Sequence, residues 1–96
     1  MKLAHNKYGS YCIPISSQHR PVAQTILSGK VHETQTIQYI LDNAGTGDII
    51  HAGTYFGDFL PALGSLPNKV YAFEPNPENY VCAKQTITIN NITNIF

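Results

Sequence analysis

The fold of this 96-residue chain is decided by residues 51–58, which read His51-Ala52-Gly53-Thr54-Tyr55-Phe56-Gly57-Asp58. Apolar residues flank the stretch on both sides, so the pattern predicts a strand that turns directly into a helix. Gly53 and Gly57 allow positive φ angles in the turn and let a ligand approach the main chain, while the helix start offers unpaired N–H groups. The stretch therefore predicts either a nucleotide-like ligand site or an ordinary tight turn between strand and helix.

The residues around this turn predict a β-α-β-α succession. A strand over residues 48–52 is apolar on both sides of its pleat, which is typical of a strand covered on both faces. Pro61 is acceptable only within the first turn of the next helix, so Asp58 is predicted as its N-cap. A second strand covers residues 69–73, and Asn76 is predicted to cap the helix that follows.

The last eleven residues are ambiguous, because their β-branched side chains and alternation suit a strand as well as a helix. We expect the helix to end near Asn90, a turn at Asn91 and a third strand starting at Ile95 and Phe96, which continues the regular succession. The chain ends where that strand would begin. We therefore expect a truncated reading frame or a fragment.

The first part of the chain, residues 1–30, predicts an N-terminal arm and a helix. Residues 8–15 are β-prone, and Pro14 cannot donate to a ladder, so this piece suits an edge strand or an extended arm. Residues 31–96 then form a truncated Rossmann-like portion, and the whole is expected to be a single domain. The predicted fold class is α/β, a partial Rossmann-like unit preceded by N-terminal helices.

Two helices are predicted before the first strand of that unit. The first runs from about residue 18 to 27, with Ser16 or Ser17 as its cap and Gly29 as its stop. The second covers residues 31–43, where the apolar residues share one face.

Composition narrows the classes of function. The chain has 43% apolar and 12% charged residues, and its six Lys plus Arg balance six Asp plus Glu, so no basic field favours nucleic acid or anionic membranes. Cys12 and Cys82 lie 70 positions apart with no metal-ligand spacing, which indicates neither a zinc site nor a disulfide framework. No apolar run approaches the roughly 18 residues of a membrane span. A cytoplasmic protein is expected.

An acidic residue at the end of the second predicted strand complements the glycine turn. Glu74 follows Gly57 by 17 residues, close to the spacing at which a carboxylate reaches the two hydroxyls of a ribose bound over such a turn. The alternative is a solvated carboxylate in a loop before Pro75. Together, the turn and the acid predict half of a dinucleotide-type site.

At these residues the sequence resembles the class I S-adenosylmethionine-dependent methyltransferases of the FkbM type. Residues 47–57, Gly-Asp-Ile-Ile-His-Ala-Gly-Thr-Tyr-Phe-Gly, resemble the first motif of that family, and residues 70–80, Val-Tyr-Ala-Phe-Glu-Pro-Asn-Pro-Glu-Asn-Tyr, resemble the second. The resemblance covers about residue 31 to the end. It implies a methyltransferase that acts on a small molecule or sugar, with S-adenosylmethionine as cofactor.

The resemblance also implies roles for individual residues. The turn from Gly53 through Thr54, Tyr55 and Phe56 to Gly57 would pass around the methionine end of the cofactor. Glu74 would hold the ribose, and Pro75 and Asn76 would flank the adenine.

The sequence departs from the family at the end of the first strand of the unit. The family usually has an acidic residue there, near the ammonium group of the cofactor, and this chain has His51. A neutral imidazole adds no opposite charge, so cofactor affinity is expected to be weaker unless Asp58 supplies the charge. A buried histidine with a purely structural role is the alternative for His51.

Three functional classes follow from these patterns. The first is a methyltransferase fragment that carries part of the cofactor-binding half but no general base, since the remaining histidines lie outside the motifs. The second is a non-catalytic Rossmann-like module that self-associates into a homo-oligomer through an unpaired apolar sheet edge. The third, a nicotinamide dehydrogenase, is disfavoured because Tyr55 stands where the second glycine would be needed.

Overall fold

The computed structural model describes residues 1–96 and shows an α/β domain with two small sheets and four α-helices. The elements in chain order are β1 (Lys2–Asn6), β2 (Gly9–Ile13), a 3-10 helix (Ile15–Ser17), α1 (Pro21–Leu27), α2 (Thr34–Asn43), β3 (Ile49–Ala52), α3 (Leu60–Leu63), β4 (Val70–Phe73) and α4 (Pro77–Ile89). The strands β1 and β2 form an antiparallel hairpin, and β3 pairs in parallel with β4. The predicted succession of elements in the second part of the chain is confirmed.

The end of the chain also follows the prediction. Helix α4 ends at Ile89, Asn91 takes a left-handed φ of 53°, and Ile95 forms a parallel bridge with Val70. The Phe96 N–H donates to the Val70 carbonyl at 2.8 Å, so a third strand begins beside β4.

The N-terminal arm is a β-hairpin, which the sequence prediction described only as an edge strand or extended arm. Helix α1 begins later than predicted, because Pro21 forces the preceding Arg20 into an extended conformation (φ −77°, ψ 150°). The predicted capping residues Ser16 and Ser17 lie in the 3-10 helix instead. Gly29, with φ 84°, ends this segment as expected.

Two predictions about the parallel unit are wrong. Helix α3 begins at Leu60 with Phe59 as its N-cap, so Asp58 does not cap it and Pro61 occupies the second helical position. Strand β3 is covered on one face only, because the helices pack on a single side of the sheet. Ile50, on the other side, is 74% exposed.

One core joins the hairpin to the parallel unit. Tyr11, Cys12 and Ile13 of β2 are buried against Phe56 and the α4 residue Cys82. The thiols of Cys12 and Cys82 are both free and lie 3.1 Å apart, a contact that their distant positions in the sequence did not indicate.

The hydroxyl of Thr86 connects the hairpin, helix α4 and the glycine turn. Thr86 is fully buried; its Oγ1 accepts from the Cys12 N–H at 3.0 Å and donates to the Phe56 carbonyl at 3.2 Å. Asn90, one turn later, pairs with Ser10 of β2, donating to its carbonyl at 2.7 Å and accepting from its N–H at 2.8 Å. Side chains of α4 thus satisfy backbone groups that would otherwise be buried without partners.

We expect Thr86→Val to lower the free energy of unfolding by about 2–4 kcal/mol, because valine keeps the shape but leaves two buried backbone groups unpaired. Urea denaturation followed by circular dichroism measures this change. The control is Thr88→Val, which removes an exposed hydroxyl from the same helix and should cost under about 0.5 kcal/mol. Equal losses in the two variants would contradict the role given to Thr86.

Candidate functional site

The glycine turn is held against the end of β4 by backbone hydrogen bonds. The Phe73 carbonyl accepts from the N–H groups of both Gly53 and Thr54, each at 2.9 Å. Three residues of the turn have left-handed φ angles: 71° at Gly53, 59° at Tyr55 and 94° at Gly57. The turn thus lies at the carboxyl ends of β3 and β4, where α/β proteins commonly bind ligands.

The two glycines are needed for different reasons. A Cβ added at Gly57 would lie 3.1 Å from the Leu60 side chain, so this glycine allows α3 to pack closely. A Cβ at Gly53 would meet no atom within 4 Å. The main chain at Gly53 therefore borders open space into which a ligand could fit.

Glu74 connects the glycine turn to the loop after β4. Its Oε1 accepts from the Tyr55 N–H at 2.8 Å, and its Oε2 accepts from the Asn76 N–H at 3.1 Å. Glu74 is half-buried, so its carboxylate is partly solvated as well as bonded within the protein. Each carboxylate oxygen keeps a second lone pair, which leaves capacity to accept from ligand hydroxyls.

His51 lies at the end of β3 beside the turn. Its Nδ1 is 2.8 Å from the Thr54 hydroxyl, and its ring stacks on Phe59 at a centroid distance of 5.3 Å. Burial lowers the pKa of the imidazole below its ordinary value of 6.5, so His51 is neutral at pH 7. The imidazole thus has two partners within the protein, the Thr54 hydroxyl and the Phe59 ring.

The Asp58 carboxyl interacts electrostatically with His32 and Glu33, the two residues that precede α2. Burial raises the pKa of this carboxyl to about 6, an effect that a backbone hydrogen bond at Asp58 and the nearby His32 partly oppose. Its environment therefore disfavours the charged form, and Asp58 is a poor replacement for the acidic residue missing at position 51.

The other predicted site residues divide into two groups. Phe56 is fully buried in the core, so only its backbone could contact a ligand. Tyr55 packs its ring on Phe56 at 4.6 Å, and its buried hydroxyl has no hydrogen-bond partner. Pro75 and Asn76 are exposed, and Asn76 caps α4 by accepting from two backbone N–H groups.

A small cavity of about 140 Å³ lies between the turn, α4 and the end of the chain. Its lining includes Thr54, Glu74, Tyr80, Lys84 and Phe96. Sequence patterns identified Glu74 but gave no sign that its carboxylate would bind two loops together.

Comparisons with protein-family models, curated proteins and solved structures found no match to this chain. The structure has no group of three His, Cys, Asp or Glu residues that could hold a metal ion. None of its helices is both long and apolar enough to cross a bilayer. The geometry of the glycine turn and Glu74 is therefore the main basis for assigning a function.

Asp58→Asn is expected to stabilise the protein at pH 7 by roughly 3 kcal/mol. The Asp58 carboxyl has a pKa of about 6 in the folded state and its ordinary 3.8 in the unfolded state. Between pH 3.8 and about 6, therefore, the folded state keeps a proton on this carboxyl that the unfolded state has lost. Stability from this group is therefore lost as pH rises from about 4 to 6. Asparagine cannot ionise, so the stability of the variant should not fall in this way as the pH rises.

Melting temperatures from pH 4 to 8 test this expectation. The difference between the wild-type and Asp58→Asn profiles isolates Asp58 from the opposing effect of His51. Asp48→Asn, at an exposed carboxylate, is the matched control and should follow the wild type. Parallel profiles for Asp58→Asn and wild type would contradict the effect.

Proposed function

We propose that this chain carries the cofactor-binding half of an S-adenosylmethionine-dependent methyltransferase of the FkbM type, on a partial Rossmann-like fold. The observation that supports it most is the Glu74 carboxylate, bonded at once to the glycine turn and to the loop that begins at Asn76. The same carboxylate is the residue that the family resemblance assigns to the cofactor ribose. The parallel order of β3 and β4 agrees with this assignment.

In this proposal the residues present bind and orient a cofactor. The open main chain at Gly53 accommodates the methionine end, the free lone pairs of Glu74 accept from the ribose hydroxyls, and the loop at Pro75 and Asn76 lies along the adenine. S-adenosylmethionine supplies the electrophilic methyl group. No residue of the turn is placed as a general base. Either the small-molecule or sugar acceptor has to be a reactive nucleophile itself, or another chain segment has to supply the base.

S-adenosylhomocysteine is expected to raise the melting temperature by roughly 5–10 °C at tenfold excess over its Kd, because a ligand that binds only the folded state stabilises it. His51→Asp should tighten that binding about threefold to tenfold, since a carboxylate next to the ammonium group adds the charge that a neutral imidazole lacks. Titration calorimetry gives both affinities.

The control ligand is 5′-methylthioadenosine, which has the nucleoside but no ammonium group. His51→Asp should leave its affinity unchanged. Equal or weaker binding of S-adenosylhomocysteine by the variant would refute the role of position 51, and no binding by the wild type would refute the proposal itself.

A second candidate is a non-catalytic module that self-associates, and the uncovered side of the parallel sheet favours it. This open sheet face consists of Ile50, Tyr71, Phe73 and Phe96, with exposed fractions of 74%, 37%, 57% and 62%. Strand β3 also has an unpaired outer edge. The N–H groups of Ile49 and Gly53 face β4 and donate to it, whereas the backbone groups of the alternate residues face away from β4. Apolar faces and free strand edges commonly contact another chain.

We expect light scattering at micromolar concentration to give the mass of a dimer or larger homo-oligomer. Ile50→Ser should shift the mass toward the monomer, because Ile50 lies on both the open face and the outer strand. Val81→Ser, at a 53% exposed apolar residue of α4, is the matched control and should leave the mass unchanged. A wild-type monomer would refute self-association.

A further inference from the structure

A second and larger cavity, of about 550 Å³, lies between the N-terminal segment and the loops at the carboxyl ends of β3 and β4. Ser17 and Arg20 border it from the N-terminal side, and Tyr55, Asn76 and Asn79 border it from the loops. It therefore adjoins the glycine turn and shares Tyr55 and Asn76 with the motifs that pointed to a cofactor. The sequence patterns gave no sign that Ser17 and Arg20 would border this space.

Arg20 provides the only full charge in the lining, and that charge is not neutralised by a neighbour. No carboxylate oxygen lies within 4.0 Å of the Arg20 guanidinium, and the one contact of that kind in the structure, 3.9 Å between His32 and Glu33, does not involve it. Glu78, the acid at the start of α4, is already bonded by the hydroxyl and N–H of Ser16, at 2.9 and 3.4 Å. The guanidinium is thus free to pair with an anion.

Uncommitted hydrogen-bond donors surround the same space. Ser17 is only 5% exposed, and its hydroxyl oxygen reaches solvent without a hydrogen-bond partner in the protein. The Asn76 side-chain oxygen accepts from the N–H groups of Glu78 and Asn79, which leaves its NH₂ group without a partner. The Asn79 amide also has none. These donor groups are open to solvent rather than engaged within the protein, so they are available to a ligand.

We propose that this cavity binds the oxyanion of an acidic small molecule, a carboxylate or a phosphate, and that this molecule is the methyl acceptor. The guanidinium of Arg20 offers two parallel N–H bonds that match either group, and the Ser17 hydroxyl and Asn76 amide supply further donors. The positive end of α4 lies at Asn76 and adds to the attraction. That the bound molecule is the methyl acceptor rests on the proposed function. That the cavity binds an anion does not.

Titration calorimetry with inorganic phosphate and with succinate, at an ionic strength held constant with sodium chloride, tests the anion site. At least one probe should bind saturably, and the tighter of the two identifies phosphate or carboxylate. Arg20→Gln should weaken the affinity for that probe about tenfold. Arg20→Lys should weaken it less, because lysine keeps the positive charge but not the two parallel N–H donors of the guanidinium. Lys69→Gln, which removes an exposed charge elsewhere, should have no effect.

Binding that is equal in wild type and Arg20→Gln, or no saturable binding of either probe, would overturn the anion site. Repeating the titration with saturating S-adenosylhomocysteine tests the acceptor assignment. Retained anion affinity supports it, whereas displacement shows that the cavity holds the carboxylate of the cofactor and overturns it. If S-adenosylhomocysteine does not bind but the anion does, the methyltransferase proposal fails and the anion site stands.

Discussion

The buried hydroxyl of Thr86 is the interaction on which the arrangement of this molecule depends, because it satisfies backbone groups from two elements that are distant in sequence. Through the Cys12 N–H it fixes the hairpin on α4, and through the Phe56 carbonyl it fixes the glycine turn on the same helix. Neither backbone group has access to water there, so breaking either bond costs its full desolvation. The turn is therefore positioned by tertiary contacts as well as by its glycines.

The second constraint is the carboxylate of Glu74. It holds two loops together by hydrogen bonds, as Thr86 holds two elements of the core. By accepting from Tyr55 and Asn76 it joins the ends of two parallel strands on one charged group. Tyr55 has a left-handed φ of 59°, a strained conformation for a residue with a side chain, and this bond helps to maintain it. A ligand held by Glu74 would thus bind to an already ordered site, with little conformational entropy left to lose.

Sequence patterns predicted the order of helices and strands from residue 31 onward, because periodicity, Pro77 at a helix start and the glycines are local signals. They predicted the start of α3 wrongly, since the choice between Asp58 and Phe59 as N-cap was decided by the packing of Leu60 and the burial of Asp58. The hairpin partner of β2 and the coverage of β3 depend on contacts between distant residues. Composition alone could not reveal them.

The one-sided sheet and the Arg20 cavity have a common origin in the placement of the N-terminal segment. The hairpin packs beside α4, and the 3-10 helix and the start of α1 border a polar cavity next to the glycine turn. That packing leaves the side chains of Ile50 and Phe73 uncovered on the opposite face. An arm that covered the sheet would have buried more apolar surface but left the turn open to water. The N-terminal segment therefore contributes to the cavity beside the turn rather than to the cover of the sheet.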